Sequence, residues 1–280
     1  MIDYREEELR AVPYITTNDG VRLYYEEKGQ GRPLLMIHGW TFSNRFFYKN
    51  IEPLSEHARV ITIDLRGHGQ SDKPSHGYRI SRLAADLRAF LSVLDLQDVT
   101  VLGWSLGCPV IWSYLELFGQ EQIRDAIFVQ QTPRQYYTPN WKLGHAACYD
   151  QAGLTFTQQQ LTLNSDAFDE QNLTSCLQHT LPQEERDILL KEMKKCPTYA
   201  RSALMEDHTV HDWRDLLPHL EIPALVMVAR KDKVLNPDGP AWVAKNMPNA
   251  QAVTFEDSAH MLFIDEAEKF NRSVLSYLNR

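Results

Sequence analysis

Three residue types at wide spacing carry the chemistry this chain could do. Ser105 lies in Gly103-Trp104-Ser105-Leu106-Gly107, between an apolar run that ends at Trp104 and a second apolar run that begins at Leu106. Asp232 follows "IPALVMVAR", and His260 follows "AQAVTFED" and two small residues. A serine hydroxyl is a weak nucleophile until an imidazole accepts its proton. The imidazole in turn needs a carboxylate to hold its tautomer. The order Ser–Asp–His therefore points to acyl transfer, with Ser105 as nucleophile, His260 as base and Asp232 as the orienting acid.

That reading requires each residue to arrive at the end of its own strand. "PLLMIHG", "ARVITIDL", "DVTVLGW", "DAIFVQQTP", "IPALVMVAR" and "AQAVTFED" read as strands. Most are short continuous apolar runs, the pattern of strands buried on both faces of a parallel sheet. "SRLAADLRAFLSVLDL", with Ser81 as N-cap, "LGCPVIWSYLELFG", "GPAWVAKNM" and "EAEKFNRSVLSYL" read as helices between or after them. "YITTNDGVRLYYEEKG" reads as a hairpin turning at Asn18-Asp19-Gly20. Alternating strands and helices imply an α/β fold with right-handed crossovers, whose ligands bind at the carboxyl ends of the strands.

Those ends deliver His38-Gly39-Trp40, Asp64, Ser105, Gln130-Gln131, Asp232 and His260. A strand–Gly-x-Ser-x-Gly–helix junction forces a tight turn that presents the serine. The backbone N–H groups of Leu106 and Trp40 are the expected oxyanion donors. His38 reads as a brace for the oxyanion loop. Asp64, Arg66 and His68 read as pins for the glycine-bearing loop "DLRGHGQSD".

Residues 134–217 break the alternation with helical stretches, glutamines and scattered aromatics. They read as a helical cap inserted into a core made of residues 1–133 and 218–280. Trp40, Trp104, Gln131, Tyr136, Tyr137 and Trp141 are candidates to line a pocket beneath it. Trp104 is equally placed to pack under the turn.

Composition narrows the classes. The formal net charge of −8 and the lack of a Lys/Arg block argue against nucleic acid. No run approaches the roughly 20 apolar residues of a membrane span, and the charged start "MIDYREEELRAVPY" has no apolar signal core. The four cysteines, 108, 148, 176 and 196, match no zinc spacing or disulfide framework. A metal-free, cytoplasmic protein is expected.

Together "HGW", "DLRGHGQSDKP", "GWSLG", "ARKDKVLNP" and "SAHMLF" resemble, in family order, the α/β-hydrolase fold superfamily, in particular its esterase and cofactor-free haloperoxidase-like (perhydrolase-like) branch. The resemblance covers about residues 14–280. It implies an eight-stranded, mostly parallel sheet flanked by helices, with only the second strand antiparallel and a helical cap between strands six and seven. It also implies the Ser105, Asp232 and His260 triad with Trp40 and Leu106 at the oxyanion, and no cofactor. Some relatives take the triad acid from the end of strand six. Gln130 and Gln131 stand there, which favours Asp232. Dehalogenase and epoxide-hydrolase relatives carry aspartate at the position of Ser105.

The expected activity is serine hydrolysis of a small to medium hydrophobic carboxylic ester or lactone. Perhydrolysis or C–C bond hydrolysis on the same triad, and a slow-turnover ligand receptor, are the alternatives. Apolar cap faces permit a homodimer without requiring one.

Overall fold

The computed structural model describes residues 13–280. The charged start therefore lies outside the described residues. In chain order the elements are β1 (Tyr14–Thr16), β2 (Arg22–Lys28), β3 (Pro33–Ile37), α1 (Ile51–Ser55), β4 (Arg59–Ile63), α2 (Ile80–Val93), β5 (Val99–Trp104), α3 (Gly107–Phe118) and β6 (Ile123–Val129). Four helices follow without a strand: α4 (Gln151–Leu163), α5 (Ser165–Ser175), α6 (Gln183–Met193) and α7 (Thr198–Val210). The chain closes with β7 (Ala224–Ala229), α8 (Asp238–Asn246), β8 (Ala250–Phe255), α9 (Leu262–Asp265) and α10 (Ala267–Leu278).

The strands form one eight-stranded sheet in the order β1-β2-β4-β3-β5-β6-β7-β8. β2 pairs antiparallel with both neighbours, and every other pairing is parallel. Alternation along each strand sends side chains to opposite faces. Leu35, Ile37, Ile61, Val101 and Val226 enter one apolar cluster, shared with α2, α3 and α8. Leu34, Met36, Leu102, Trp104 and Met227 enter a second, shared with α1, α9 and α10. Both faces are covered, which is why the strands read as unbroken apolar runs.

Ser81 is not the N-cap of α2. The helix starts one residue earlier, at Ile80, and the preceding residue, Arg79, gives no side-chain cap. Asp207 of α7 takes that role across 127 residues, its Oδ2 accepting from the Ile80 N–H at 2.8 Å. The guanidinium of Arg79 has only donors and cannot accept from a helix N–H, so a distant carboxylate supplies the acceptor.

The two ends of the inserted helices meet. Arg134 and Asp212 form an antiparallel bridge and an ion pair, and the Trp213 N–H donates to Pro133 O at 2.9 Å.

Candidate active site

Ser105 occupies the turn between β5 and α3 with φ at +52°, a left-handed conformation that costs about 1 kcal/mol for a residue with a side chain. The flanking glycines let the turn close. A Cβ at Gly103 would lie 2.6 Å from the backbone of Gly107, and one at Gly107 would lie 2.5 Å from Ile37 O. The start of α3 is thus pressed onto β5 and β3, with Leu106 immediately ahead of the helix. The Gly39–Trp40 turn lies on the other side, since a Cβ at Gly39 would come 3.1 Å from Ser105 Cβ. The Gly39–Trp40 turn thus adjoins the turn that carries Ser105 and Leu106.

His260 follows β8, and its Nδ1 lies 2.9 Å from Asp232 Oδ2. Both side chains are almost fully buried. Asp232, after β7, is fixed by two further donors. The Val234 N–H reaches its Oδ1 at 2.8 Å, and Gln130 Nε2 reaches its Oδ2 at 2.7 Å. Gln130 is itself held, its Oε1 accepting from the Ala229 N–H at 2.6 Å. A carboxylate that accepts several N–H groups is held in one orientation. Its type and place at the end of β6 were legible in the sequence, but its role as a donor to Asp232 was not.

Ser105 and His260 line one cavity of about 170 Å³. Trp40, Phe42, Phe168 and Met205 supply much of its apolar wall, and Gln131 is also in it. Trp104, Tyr136, Tyr137 and Trp141 are not among its lining residues. Trp104 points to the same face of the sheet as Leu102, opposite Val101, stacks on Phe42 at 4.7 Å and donates from Nε1 to His260 O at 3.0 Å. Tyr137 packs on Tyr149, and the Tyr136 hydroxyl reaches Gln151. Trp141 stands edge-on to Trp242 and donates to Arg134 O. These aromatics build the base of the insertion instead. Phe168 and Met205 lie on helices whose periodicity alone does not say which residue faces the cavity.

The bracing residues sit as expected. His38 Nε2 accepts from the Leu65 N–H at 3.0 Å, so its Nδ1–H donates to Gly39 O at 2.7 Å. Asp64 accepts from the backbone of Asn44 and Gln70. Arg66 pairs with Asp86 at 2.7 Å, and His68 Nε2 accepts from the Thr41 N–H. Burial pushes the Asp64 carboxyl up to about 6 and the His38 imidazole down to about 4. Cys108 donates to Gly103 O at 3.0 Å and is wholly buried, so it packs the strand–helix contact. The cysteines are all free and buried. Among the described residues no helix is long and apolar enough to cross a membrane, and no group of three or more His, Cys, Asp or Glu converges as a metal site.

Comparison with known proteins agrees with this architecture. A non-heme chloroperoxidase from Kitasatospora aureofaciens is 27% identical over 278 residues, covering 96% of this chain and all of that one. The solved structure of an esterase from Exiguobacterium antarcticum superposes with a TM-score of 0.91 at 25% identity, covering 96% of this chain and 99% of that one. A bromoperoxidase structure from Bacillus anthracis gives 0.88 at 24% identity, covering 95% and 100%. The family described as alpha/beta hydrolase fold matches residues 32–267. The chain belongs to the alpha/beta hydrolase fold family.

Proposed function

We propose that the protein is a cofactor-independent serine hydrolase of small to medium carboxylic esters or lactones. The observation that carries this reading is the Asp232–His260 hydrogen bond, with its imidazole in the same cavity wall as a strained, presented Ser105. Ser105 Oγ attacks the ester carbonyl while His260 Nε2 takes its proton. The N–H groups of Trp40 and Leu106 receive the oxyanion. Collapse expels the alkoxide, which His260 protonates, and the same base activates water to hydrolyse the acyl-enzyme. Asp232 holds the imbalance of charge on the imidazolium throughout.

Residues 134–217 serve as the cap that closes the pocket, and the core is made of residues up to 133, described from 13 onward, together with 218–280. The apolar wall favours a hydrophobic acyl or alcohol group, and the volume favours one of modest size. The four free, buried thiols are in keeping with a reducing, cytoplasmic setting.

Ser105→Ala tests the assignment. It should remove p-nitrophenyl ester turnover and fluorophosphonate labelling while keeping the melting temperature. Retention of either at wild-type level refutes the role of Ser105.

A second reading is favoured by the chloroperoxidase relative, 27% identical over nearly the whole chain. Hydrogen peroxide in place of water would cleave the acyl-enzyme to a peracid. Bromination of monochlorodimedone in acetate, peroxide and bromide measures it, because the peracid oxidises bromide to the brominating species and is itself reduced to the acid.

A further inference from the structure

Beyond the Asp232–His260 pair, the cavity wall carries two more imidazoles, His145 and His208. Their tautomers follow from their partners. Gln131 Oε1 accepts from the Thr132 N–H at 2.9 Å, so the amide must present its Nε2 to His208, 3.1 Å from the ring Nε2. That ring nitrogen therefore accepts, and the proton sits on Nδ1. His208 Nδ1 is buried and has no partner in the protein. His145 Nδ1 accepts from the N–H groups of both Ala147 and Cys148 at 2.9 Å. Its proton is thus on Nε2, for which the described residues provide no acceptor.

Two residues of the wall thus carry N–H donors of fixed tautomer. Gln135 Oε1, on another lining residue, is buried without a partner, as His208 Nδ1 is. Unmet buried polar atoms are rare in native proteins and call for a ligand or ordered water.

Resting on the ester-hydrolase reading above, we propose that the substrate carries, besides its scissile ester, an uncharged oxygen group that accepts hydrogen bonds from His208 Nδ1–H and His145 Nε2–H. A keto oxygen satisfies the donors alone. A hydroxyl would also meet Gln135 Oε1.

The charge state supports an uncharged partner. Desolvation pushes His208 down to about 3 and His145 down to about 4, so both rings are neutral at pH 7. An imidazolium at His208 would also turn a second N–H against the Gln131 amide. A carboxylate against these two rings would find no countercharge on either. The cation in the cavity lining, Lys233, has its Nζ at Leu177 O, 3.4 Å away.

The test uses wild-type protein and matched p-nitrophenyl esters. Straight-chain acyl esters are compared with oxo, hydroxy and carboxy counterparts bearing the oxygen at successive carbons. Acetates of plain and oxygenated alcohols probe the leaving-group side. An oxo or hydroxy compound is expected to exceed its hydrocarbon match by about tenfold or more in kcat/KM. That ratio, whatever the absolute rates, is expected to fall toward one in His208→Phe or His145→Phe.

No preference at any position, a carboxy compound preferred, or a ratio unchanged in both variants overturns the proposal. If the variants do not fold, the wild-type panel decides alone. Failure of the underlying reading looks different: no ester is turned over and fluorophosphonate leaves Ser105 unlabelled.

Discussion

Gln130 and His260 meet the same carboxylate oxygen, Asp232 Oδ2, at 2.7 and 2.9 Å. Two donors on one oxygen fix the carboxylate in the plane the imidazole needs. The amide stands where some members of the family place the acid itself. Gln130→Leu keeps the bulk and removes the donor. We expect kcat to fall by about tenfold to a hundredfold, with KM changed less than threefold, since the loss is of orientation rather than of ground-state contacts. Steady-state kinetics on one ester checks this, and an unchanged kcat would show that the Val234 N–H suffices.

Asp232→Asn should be far more severe. Val234 N–H still requires an oxygen at one position, so the new NH2 turns toward Gln130 and His260. Facing a donor, His260 Nδ1 must accept, which puts the ring proton on Nε2 and removes the base. The analogous change in the serine-protease triad lowers kcat about 10⁴-fold, and a loss of that order is expected in pre-steady-state acylation.

Trp104 is expected to matter for stability more than for substrate choice. Trp104→Phe retains much of the stacking on Phe42 and loses the hydrogen bond to His260 O. A loss of about 2 kcal/mol is expected by urea unfolding. The ranking of ester chain lengths should stay as in wild type. A reordered ranking would place the indole in the substrate's path after all.

Asp207 couples the inserted helices to the core. Asp207→Ala frees the Ile80 N–H and should cost about 1 kcal/mol. Hydrogen exchange should locate the change in the first turn of α2. Exchange there at the wild-type rate would mean that a neighbouring group or water replaces the cap.

Acid should unfold the protein well before its surface carboxylates titrate. His38, His68, His145 and His208 all bind protons below the usual 6.5 because burial disfavours their charged forms. As pH falls below 6.5 the unfolded chain takes up these protons before the folded chain does. Stability from this source is present above pH 6.5 and is lost as pH falls. Asp64, raised to about 6 from 3.8, acts oppositely, as do Asp125 and Asp169, which burial also raises. The four rings outnumber the three carboxyls, so the net slope of stability with pH is positive. The urea midpoint should therefore drop from pH 7 to pH 5, and a flat or rising midpoint would contradict it.

Much of the sheet was legible because burial on both faces writes apolar runs into the chain. Ser105, Asp232 and His260 were legible because each stands at the end of such a run. Trp104 was ambiguous in sequence because the residue before a strand-end turn can go either way, and the pleat sent it under the sheet. Tyr136, Tyr137 and Trp141 misled because an insertion needs aromatics for its own base. The Gln131–His208 contact spans 77 residues, and the Asp207–Ile80 cap spans 127. Such pairs arise from how helices dock, which no local pattern records.

The joined ends at Arg134–Asp212 and Pro133–Trp213 give the sheet a socket. Whatever lies between them begins and finishes at one point beside β6 and β7, so its length hardly alters the entropy of closing the loop. The insert is not a loose passenger on that socket. Ala146 N–H donates to Val234 O beside Asp232, and Met261 N–H, next to His260, donates to Cys176 O, both at 2.8 Å. A replacement helical insert would have to restore those two backbone contacts to leave Asp232 and His260 where they are.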